Sequence, residues 1–572
     1  SMNRRFQSLL KRVIKLQLIR IRKEDELAYY KVIWNEIFAN EHNDNPFIEY
    51  AWFYNWWITI GRKERVELYA VQKDEDIVAF LPLKVRILWG VRVYTFTGEN
   101  VANYSGIIAR KVWQLPAITF VFDELIKKHH HVLFSFHGLL ESKESSKVIE
   151  QYFVERQLRP HIFRVVTPYL AFQDVDFSSN FHNRRKIHGI DRREKKLRNL
   201  GSLRIKTPEQ EDLWQMFKLF DRRWAKKVDT SGFTKGKKKE FFERLFHLKG
   251  EAMQVEVDAL VFENHWLAFN YGICCRGRYV TYALGHEPNF NIFGVGRLLN
   301  QTTIKRTFSE NYRMFDMSIG YEAYKFDWRS GIDFTRRIVA SSKTKRAKLL
   351  LGWFVRKERL KEMLKSSQRF VGWKRHTLGE MRYLVKYGKV KDWLEYGQQF
   401  VEKFVRLKQV DLYELSPSDR VIPQQPVGEL FEEMSIQEAM PLDQEEIISI
   451  FYKGYILYKD SFAQTTKPAF ALHNDNLRVD ALQIVEPLPK QTYFLHYDFY
   501  KDIGVITAFI QKIKPNETLW VTASFWQWRK RKRLQQLGYK RISRMKHFKC
   551  ARYERNHVEN YTESGGDVHS IH

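Results

Sequence analysis

The sequence predicts a mixed α/β protein made of successive units in which strands lean on helices. Three observations carry that prediction. Apolar residues make up 44% of the 572 residues and aromatic residues 15%, the composition of a chain that folds around cores. Runs such as VELYAVQKD, DIVAFLPLKVRIL and VRVYTFTG alternate like strands, while DELAYYKVIWNEIFAN carries apolar residues at helical spacing. The length leaves room for roughly two to four domains.

The elements follow in order. NRRFQSLLKRVIKLQLIRIRKEDE begins as a basic amphipathic helix, with Phe6, Leu9, Leu10, Val13 and Ile14 on one face, then alternates like a strand from Lys15. Such a helix suits a foot on an anionic membrane surface or a helix packed on its own domain, and the second is expected. An aromatic helix, IEYAWFYNWWITIG (48–61), follows the tripeptide NPF. Residues 1–180 read as a first α/β domain.

Residues 181–345 read as a second. It opens with a dense basic run, RRK…RREKKLRNLG, followed by the helix EQEDLWQMFKLFDRRWAKKV and the segment FFERLFHLKG. Three strands come next, MQVEVDALVFEN, WLAFNYGICCRG and RYVTYALGH, with EN and RG as the turns of antiparallel hairpins. Residues 346–428 read as a basic helical connector, including VKDWLEYGQQFVEKFVRLKQ, and a proline-containing linker, SPSDRVIPQQPVG. Residues 429–572 read as a smaller α/β unit ending in strand, helix, Gly538 and strand, with a disordered tail.

Charge and cysteine count bound the function. A net charge of +29 suits a polyanionic partner: nucleic acid, an acidic membrane face or phosphate-bearing small molecules. Three cysteines, two of them adjacent, give no disulfide framework and no metal-ligand spacing, so a reducing cytoplasmic compartment and no metal are expected. The longest apolar run, VWQLPAITFVF, is too short to span a bilayer. Cys274 and Cys275 lie in a strand, point to opposite faces and have no evident activating base.

The chemistry concentrates in residues 278–331. A strand runs into a loop containing NIFGVG, a helix starts there, and a second strand follows. Gly294 and Gly296 at a helix start free backbone amides to point at an anion, and the helix dipole adds attraction. The pattern is neither a Rossmann fingerprint nor a Walker loop. Past the second strand, FDMSIGYEAYKFDWRSG crowds proton-carrying side chains beyond a strand end.

This order of elements resembles the core of the GNAT acyltransferase superfamily, whose pyrophosphate loop reads roughly Q/R-x-x-G-x-G/A. Here Asn291 stands in the first position and departs from it. Residues 182–330 further resemble the CelD/BcsL-like branch, found with polysaccharide-synthesis machinery. The likeness lies in the basic run, Arg223 and Trp224, LGHEPNFNIFGVGRLL, and the ending Phe315, Asp316, Gly320, Glu322, Tyr324, Lys325 and Trp328. NPFIEYAWFYNWWITIG, VAFLPLKV and FTGENVANYSGII extend it over about residues 15–345.

The resemblance implies two GNAT-like folds in tandem, as in FemAB-type aminoacyl transferases. Residues 346–572 lie outside it; there RKRLQQLGYKRIS resembles a GNAT C-terminus, but no glycine loop precedes it, so a third, smaller and non-catalytic GNAT-like unit is expected. It implies an acyl-coenzyme A donor, held by Asn291, Gly294, Val295, Gly296 and Arg297. Glu287 and Asp316 are candidate bases, Tyr321 and Tyr324 candidate acids, His286 a base or a hydrogen-bond donor to the substrate, and Glu322 a further candidate catalytic residue. Tyr321, Lys325 and Trp328 would meet the acceptor, with Arg184 and Arg185 clamping phosphates. The acceptor would be an amino sugar, nucleotide-sugar or polysaccharide precursor, met in the cytoplasm or at the inner membrane face. Two other readings stand beside this one: an aminoacyl transferase drawing on charged tRNA, and a non-catalytic scaffold of a polysaccharide-synthesis complex.

Overall fold

The computed structural model describes residues 16–173, 184–224, 236–248 and 251–366, residues 385, 393 and 397, and most of 405–560, namely 405–419, 430–442, 444–462, 468–479, 482, 484–498, 502–550 and 553–560. The amphipathic start of the chain, most of the connector and linker, and the tail lie outside the described residues. The chain forms two compact units. One holds residues 1–192, 204–287 and 294–380, the other 193–203, 288–293 and 381–572.

The first half of the first unit holds β1 (Leu16–Ile21), α1 (Lys31–Asn40), α2 (Tyr50–Ile58), β2 (Val66–Lys73), β3 (Asp76–Leu88), β4 (Val91–Phe96), β5 (Ile108–Ala109), α3 (Gln114–His129), β6 (Val132–Leu140), α4 (Glu144–Glu155) and β7 (His161–Ala171). Helix α2 starts at Glu49, whose carboxylate accepts from the amides of Ala51 (2.6 Å) and Trp52 (3.3 Å). Burial pushes that carboxyl up to about 7.

The second half holds α5 (Arg184–Arg198), β8 (Leu203–Lys206), α6 (Leu213–Trp224), α7 (Gly236–Phe246), β9 (Met253–Phe262), β10 (His265–Cys275), β11 (Arg278–His286), α8 (Val295–Ser309), β12 (Met314–Asp316), α9 (Ala323–Asp327) and β13 (Gly331–Ser341), with α10 (Lys345–Ser366) following. The EN and RG turns form as expected. Glu263 and Asn264 between β9 and β10, and Arg276 and Gly277 between β10 and β11, all take positive φ, the backbone twist that two-residue hairpins favour.

These strands make one 13-stranded sheet in the order β1-β2-β3-β4-β6-β13-β7-β12-β11-β10-β9-β8, with β5 beside β3. The two halves follow one plan, as the tandem expectation has it. In each, a meander ends in a strand that runs parallel to the next, β4 with β6 and β11 with β12. A helix lies in the crossover each time, α3 in the first and α8 in the second.

The halves exchange strands. β13, from the end of the second, pairs with β6 of the first. β7, from the end of the first, pairs with β12 of the second. The two exchanged strands also pair with each other, from Gly331↔Tyr169 to Val339↔His161. One apolar cluster, holding Trp34, Trp52 and Phe80 from the first half and Phe241, Phe269 and Tyr271 from the second, makes their core continuous.

A buried ionic network also joins the halves. Arg278 on β11 donates to Asp316 Oδ2 on β12 from Nε (3.0 Å) and Nη2 (2.5 Å). The first half contributes Tyr104, whose hydroxyl donates to Asp316 Oδ1 at 2.8 Å, and Asp44, 3.4 Å from Arg278 and 2.7 Å from Lys143. Arg278, Asp316 and Tyr104 are buried. Burial alone would raise the Asp44 carboxyl, but Arg278 and Lys143 outweigh it and hold it below its ordinary value.

The second unit carries an 8-stranded sheet in the order β15-β16-β17-β20-β21-β14-β22-β23. It is built from β14 (Val405–Leu415), β15 (Phe431–Glu433), α11 (Glu445–Lys453), β16 (Ile456–Asp460), β17 (Pro468–His473), β18 (Asn476–Val479), β19 (Ile484–Pro487), β20 (Thr492–Asp498), α12 (Ile503–Ile513), β21 (Thr518–Ser524), α13 (Trp528–Gln536), β22 (Lys540–Cys550) and β23 (Tyr553–Asn560). β20 and β21 run parallel around α12, the same plan again. The pattern predicts that the connector helix reaches about residue 408. Instead β14 begins at Val405 and pairs with both β21 and β22, so its alternating residues satisfy a two-sided strand.

Two outcomes are expected from the network. Arg278→Met, which strands the Asp316 carboxylate without its cation, should cost about 3–5 kcal/mol in chemical denaturation, and unchanged stability would contradict the network. Asp44 has a lowered folded pKa, so its contribution is complete above the ordinary carboxylate range and lost as pH falls through the lowered value. Asp44→Asn should therefore be less stable than the parent at neutral pH, and that gap should shrink below about pH 4.

Candidate active site

The geometry of the site begins where the parallel strands part. β11 pairs with β12 over Arg278↔Met314, Tyr279↔Phe315 and Val280↔Asp316. Beyond Val280, β11 continues to His286 and keeps β10 as its neighbour, while the chain after Asp316 turns away. A wedge opens between them, with the Arg278–Asp316 pair at its vertex. The β10–β11 register slips between Tyr271 and Gly272, so Tyr282 is an extra residue on β11, a bulge that bends the strand where the wedge opens.

The first half has the matching wedge beyond Tyr94↔Phe134, and its own chain closes it. Ser105 bridges in parallel to Leu139, its amide donates to the Gly138 carbonyl at 2.9 Å, and its hydroxyl bonds the His137 carbonyl. Gly138 is required there: φ is +71°, and a Cβ would lie 3.0 Å from the Asn103 carbonyl oxygen. The same loop reaches the other wedge. Asn103 donates to the Ser318 hydroxyl at 2.6 Å, and Tyr282 donates to the Val101 carbonyl at 2.7 Å.

At the mouth of the second wedge stands the start of α8. Gly294 precedes it in the left-handed region (φ 67°) and offers no side-chain cap. The Gly294 carbonyl accepts from Arg297 and Leu298, and the amides before these have no intrahelical acceptor. A Cβ on Gly296 would sit 3.1 Å from His286 Nδ1 and 3.2 Å from Leu284 Cδ2, so the helix start lies directly against the end of β11. Val295 is buried and Arg297 exposed. Asn291 is exposed and falls in Pro288–Phe293, which belongs to the second unit, whereas Gly294 and Gly296 belong to the first.

The turn after β12 forms the other wall. Ser318 takes φ 62° and its amide donates to Asp316 Oδ1 at 2.7 Å. Gly320 takes φ 138°, and a Cβ there would lie 2.2 Å from Glu322 Oε2, so only glycine lets Glu322 fold back. Lys325 Nζ donates to the Ile319 carbonyl at 2.7 Å and lies 3.1 Å from Glu322 Oε2. Burial pushes the Tyr324 hydroxyl up to about 12, with Glu322 adding and Arg223 opposing. Burial likewise lowers Arg223, which Tyr324 and Glu322 pull back up. Arg223 also donates to the Leu284 carbonyl on β11.

The structure thus brings together Asp316, Glu322, Tyr324, Lys325, His286, Gly294 and Gly296 around one wedge. Glu287 sits at its far end, 8% exposed, its carboxylate 3.0 Å from Arg222. Asp316 is fully buried and accepts hydrogen bonds on both oxygens. Of the three residues expected to meet the acceptor, Tyr321 is 68% exposed, Trp328 is 3% exposed and Lys325 is bonded inward. Arg185 is exposed on α5, and the side chain of Arg184 lies outside the described residues.

Arg223, Asn103, Tyr104 and Arg278 were not among the expected site residues, although Arg223 and the stretch FTGENVANYSGII, which holds Asn103 and Tyr104, carry the resemblance. Cys274 and Cys275 are both buried, and burial raises both thiols, Cys275 to about 12, which suits packing rather than nucleophilic attack.

No curated protein matches the sequence. Several solved structures are similar. A conserved protein of unknown function from Bacteroides thetaiotaomicron shares 10% identity over 57% of this chain and 100% of its own, with a TM-score of 0.40. A tandem GNAT protein from the clavulanic acid biosynthesis pathway shares 9% over 58% and 100%, with a TM-score of 0.35. FemX shares 10% over 56% and 96%, with a TM-score of 0.37. Residues 183–326 match the family model described as an acetyltransferase (GNAT) domain, and β11, α8, β12 and the turn after β12 all fall within that stretch.

Proposed function

We propose that the second half transfers an acyl group from acyl-coenzyme A, most simply acetyl-coenzyme A, to an amine or hydroxyl of an amino sugar, nucleotide-sugar or polysaccharide precursor in the cytoplasm. One observation carries the reading. Of two wedges built on one plan, the first is closed by its own loop, while the second has a glycine-started helix at its mouth and no bridging segment among the described residues. The match of residues 183–326 to a GNAT acetyltransferase domain supports the reaction class. The polysaccharide-type acceptor rests on the resemblance of residues 182–330 to the CelD/BcsL-like branch.

Residues 181–345 are the catalytic domain in this reading, and 1–180 and 429–572 are not catalytic. The start of α12 in the last unit favours that division. Asp502 donates no proton there; its carboxylate accepts from the Gly504 amide at 2.8 Å and puts a negative charge where a phosphate would need to sit.

The donor pyrophosphate lies on the first amides of α8, and the pantetheine runs along the free edge of β11 towards the vertex. The acceptor amine or hydroxyl attacks the thioester carbonyl, and its proton passes to Glu322. The tetrahedral adduct expels the thiolate, which takes a proton from Tyr324. A phenol held near 12 is protonated at neutral pH and ready to donate. Asp316 is a positioning residue that fixes the vertex through Arg278 and Tyr104, not the base. The alternative donor, aminoacyl-tRNA, is favoured by the net charge of +29.

Thermal shift with acetyl-coenzyme A, free coenzyme A and bulk tRNA separates these readings. Saturable stabilisation by coenzyme A that is lost in Gly296→Trp is expected. Stabilisation by tRNA alone supports the alternative, and no response to any of the three contradicts both. In a coupled assay, Tyr324→Phe and Glu322→Gln should each lower kcat by about 100-fold or more with little change in KM for the donor. Full activity in both variants would move the chemistry elsewhere.

A further inference from the structure

Helix α10 is apolar on two faces, and among the described residues only one is packed into a core cluster. Ala347, Leu350 and Phe354 pack against Val91, Val93, Leu133 and Val339, which explains the inner face. On the outer face Leu349 is 72% exposed, Trp353 42% and Leu360 52%. Their spacing of four and seven residues sets them on one stripe. The tip of the β3–β4 hairpin extends the stripe sideways. Trp89, 65% exposed, meets Trp353 with ring centroids 5.7 Å apart, and Ile87 is 54% exposed.

Charge surrounds this stripe. Helix α10 carries eight Lys and Arg residues against two Glu. Lys345, Arg346, Arg356 and Lys357 are all exposed, and Lys357 Nζ lies 4.8 Å over the Trp353 ring. An apolar strip of this size, rimmed by cations and spread over a helix and a hairpin tip, marks an interaction surface.

We propose that the outer face of α10, together with the hairpin tip at Trp89, docks on an anionic lipid bilayer. The composition fits an interfacial helix: aliphatic and tryptophan side chains enter the headgroup boundary while lysine and arginine meet acidic lipid. Other occupants fit less well. A second copy joined by a two-fold axis would set cationic rim against cationic rim. Residues 1–15 are themselves basic and would meet like charge. Nucleic acid would complement the cations but gain nothing from exposed Leu349 and Leu360. The proposal concerns a different surface from the wedge and stands apart from the transferase reading.

Vesicle flotation with the full chain tests it, using phosphatidylcholine vesicles with and without phosphatidylglycerol. The expected result is flotation with the anionic vesicles only, weakening as salt rises. Leu349→Gln/Leu360→Gln should lower the bound fraction about tenfold or more, as should Arg346→Glu/Arg356→Glu. Both pairs are exposed, so both variants should keep the parent's melting temperature. The proposal is overturned if the parent fails to float. It is equally overturned if flotation survives both double variants, or if the leucine variant instead abolishes a dimer seen by light scattering or binding to a single-stranded oligonucleotide.

Discussion

The ion pair between Arg278 and Asp316 is the constraint on which the candidate site depends. It ties β11 to β12 diagonally across their short ladder, with Asp316 at the end where the strands part and the wedge begins. Neither group would tolerate burial alone, since an uncompensated charge in a protein interior is strongly destabilising. Together they need further partners, and those come from the other half: Tyr104 on the Asp316 carboxylate, and Asp44 beside Arg278. The vertex is therefore complete only when both halves are folded against each other. This is the side-chain counterpart of the strand exchange, in which β7 and β13 each finish the sheet of the other half.

That arrangement gives the duplicated plan a division of labour. The loop after β4 fills its own wedge through Ser105 and sends Asn103, Tyr104 and Val101 to the second. One half is thus a buttress, while among the described residues no strand or bridge closes the wedge of the other. The turn at Gly320 follows from the same economy of space. Its backbone conformation lets Glu322 fold back over the chain beside Lys325, and Arg223 bridges from α6 to the β11 backbone. The proposed acid, the proposed base and the helix start then lie around one opening.

Much of this was legible in the sequence, and the limits have physical causes. Alternation and turn chemistry gave the strands and the two-residue hairpins, because both depend on neighbours within a few residues. Gly294 before α8, Gly296 in its first turn and the polar crowd after β12 stand out in the sequence, because unusual backbone needs leave unusual residues. What the pattern could not carry was long-range pairing. Nothing local to Asp316 says that Arg278 and Tyr104 will bury it, so a carboxylate at a strand end read as a base. Nothing local to β13 says that it crosses to the first half. Trp328 and Lys325 read as acceptor contacts from their chemistry, and their burial is a long-range property that the local pattern does not carry. At Val405 the helical pattern of the connector ran on into a strand, because an alternating segment between two partners can satisfy either period over a few residues.

The central claim is that the second wedge, and not the first, receives the donor. Hydrogen–deuterium exchange of the backbone with and without coenzyme A tests it most directly. The account predicts slowed exchange in residues 281–286 of β11 and 294–298 at the start of α8, with no change in residues 94–106 and 132–140 of the first half. Protection in the first wedge, or at the start of α12 with none at α8, would contradict it.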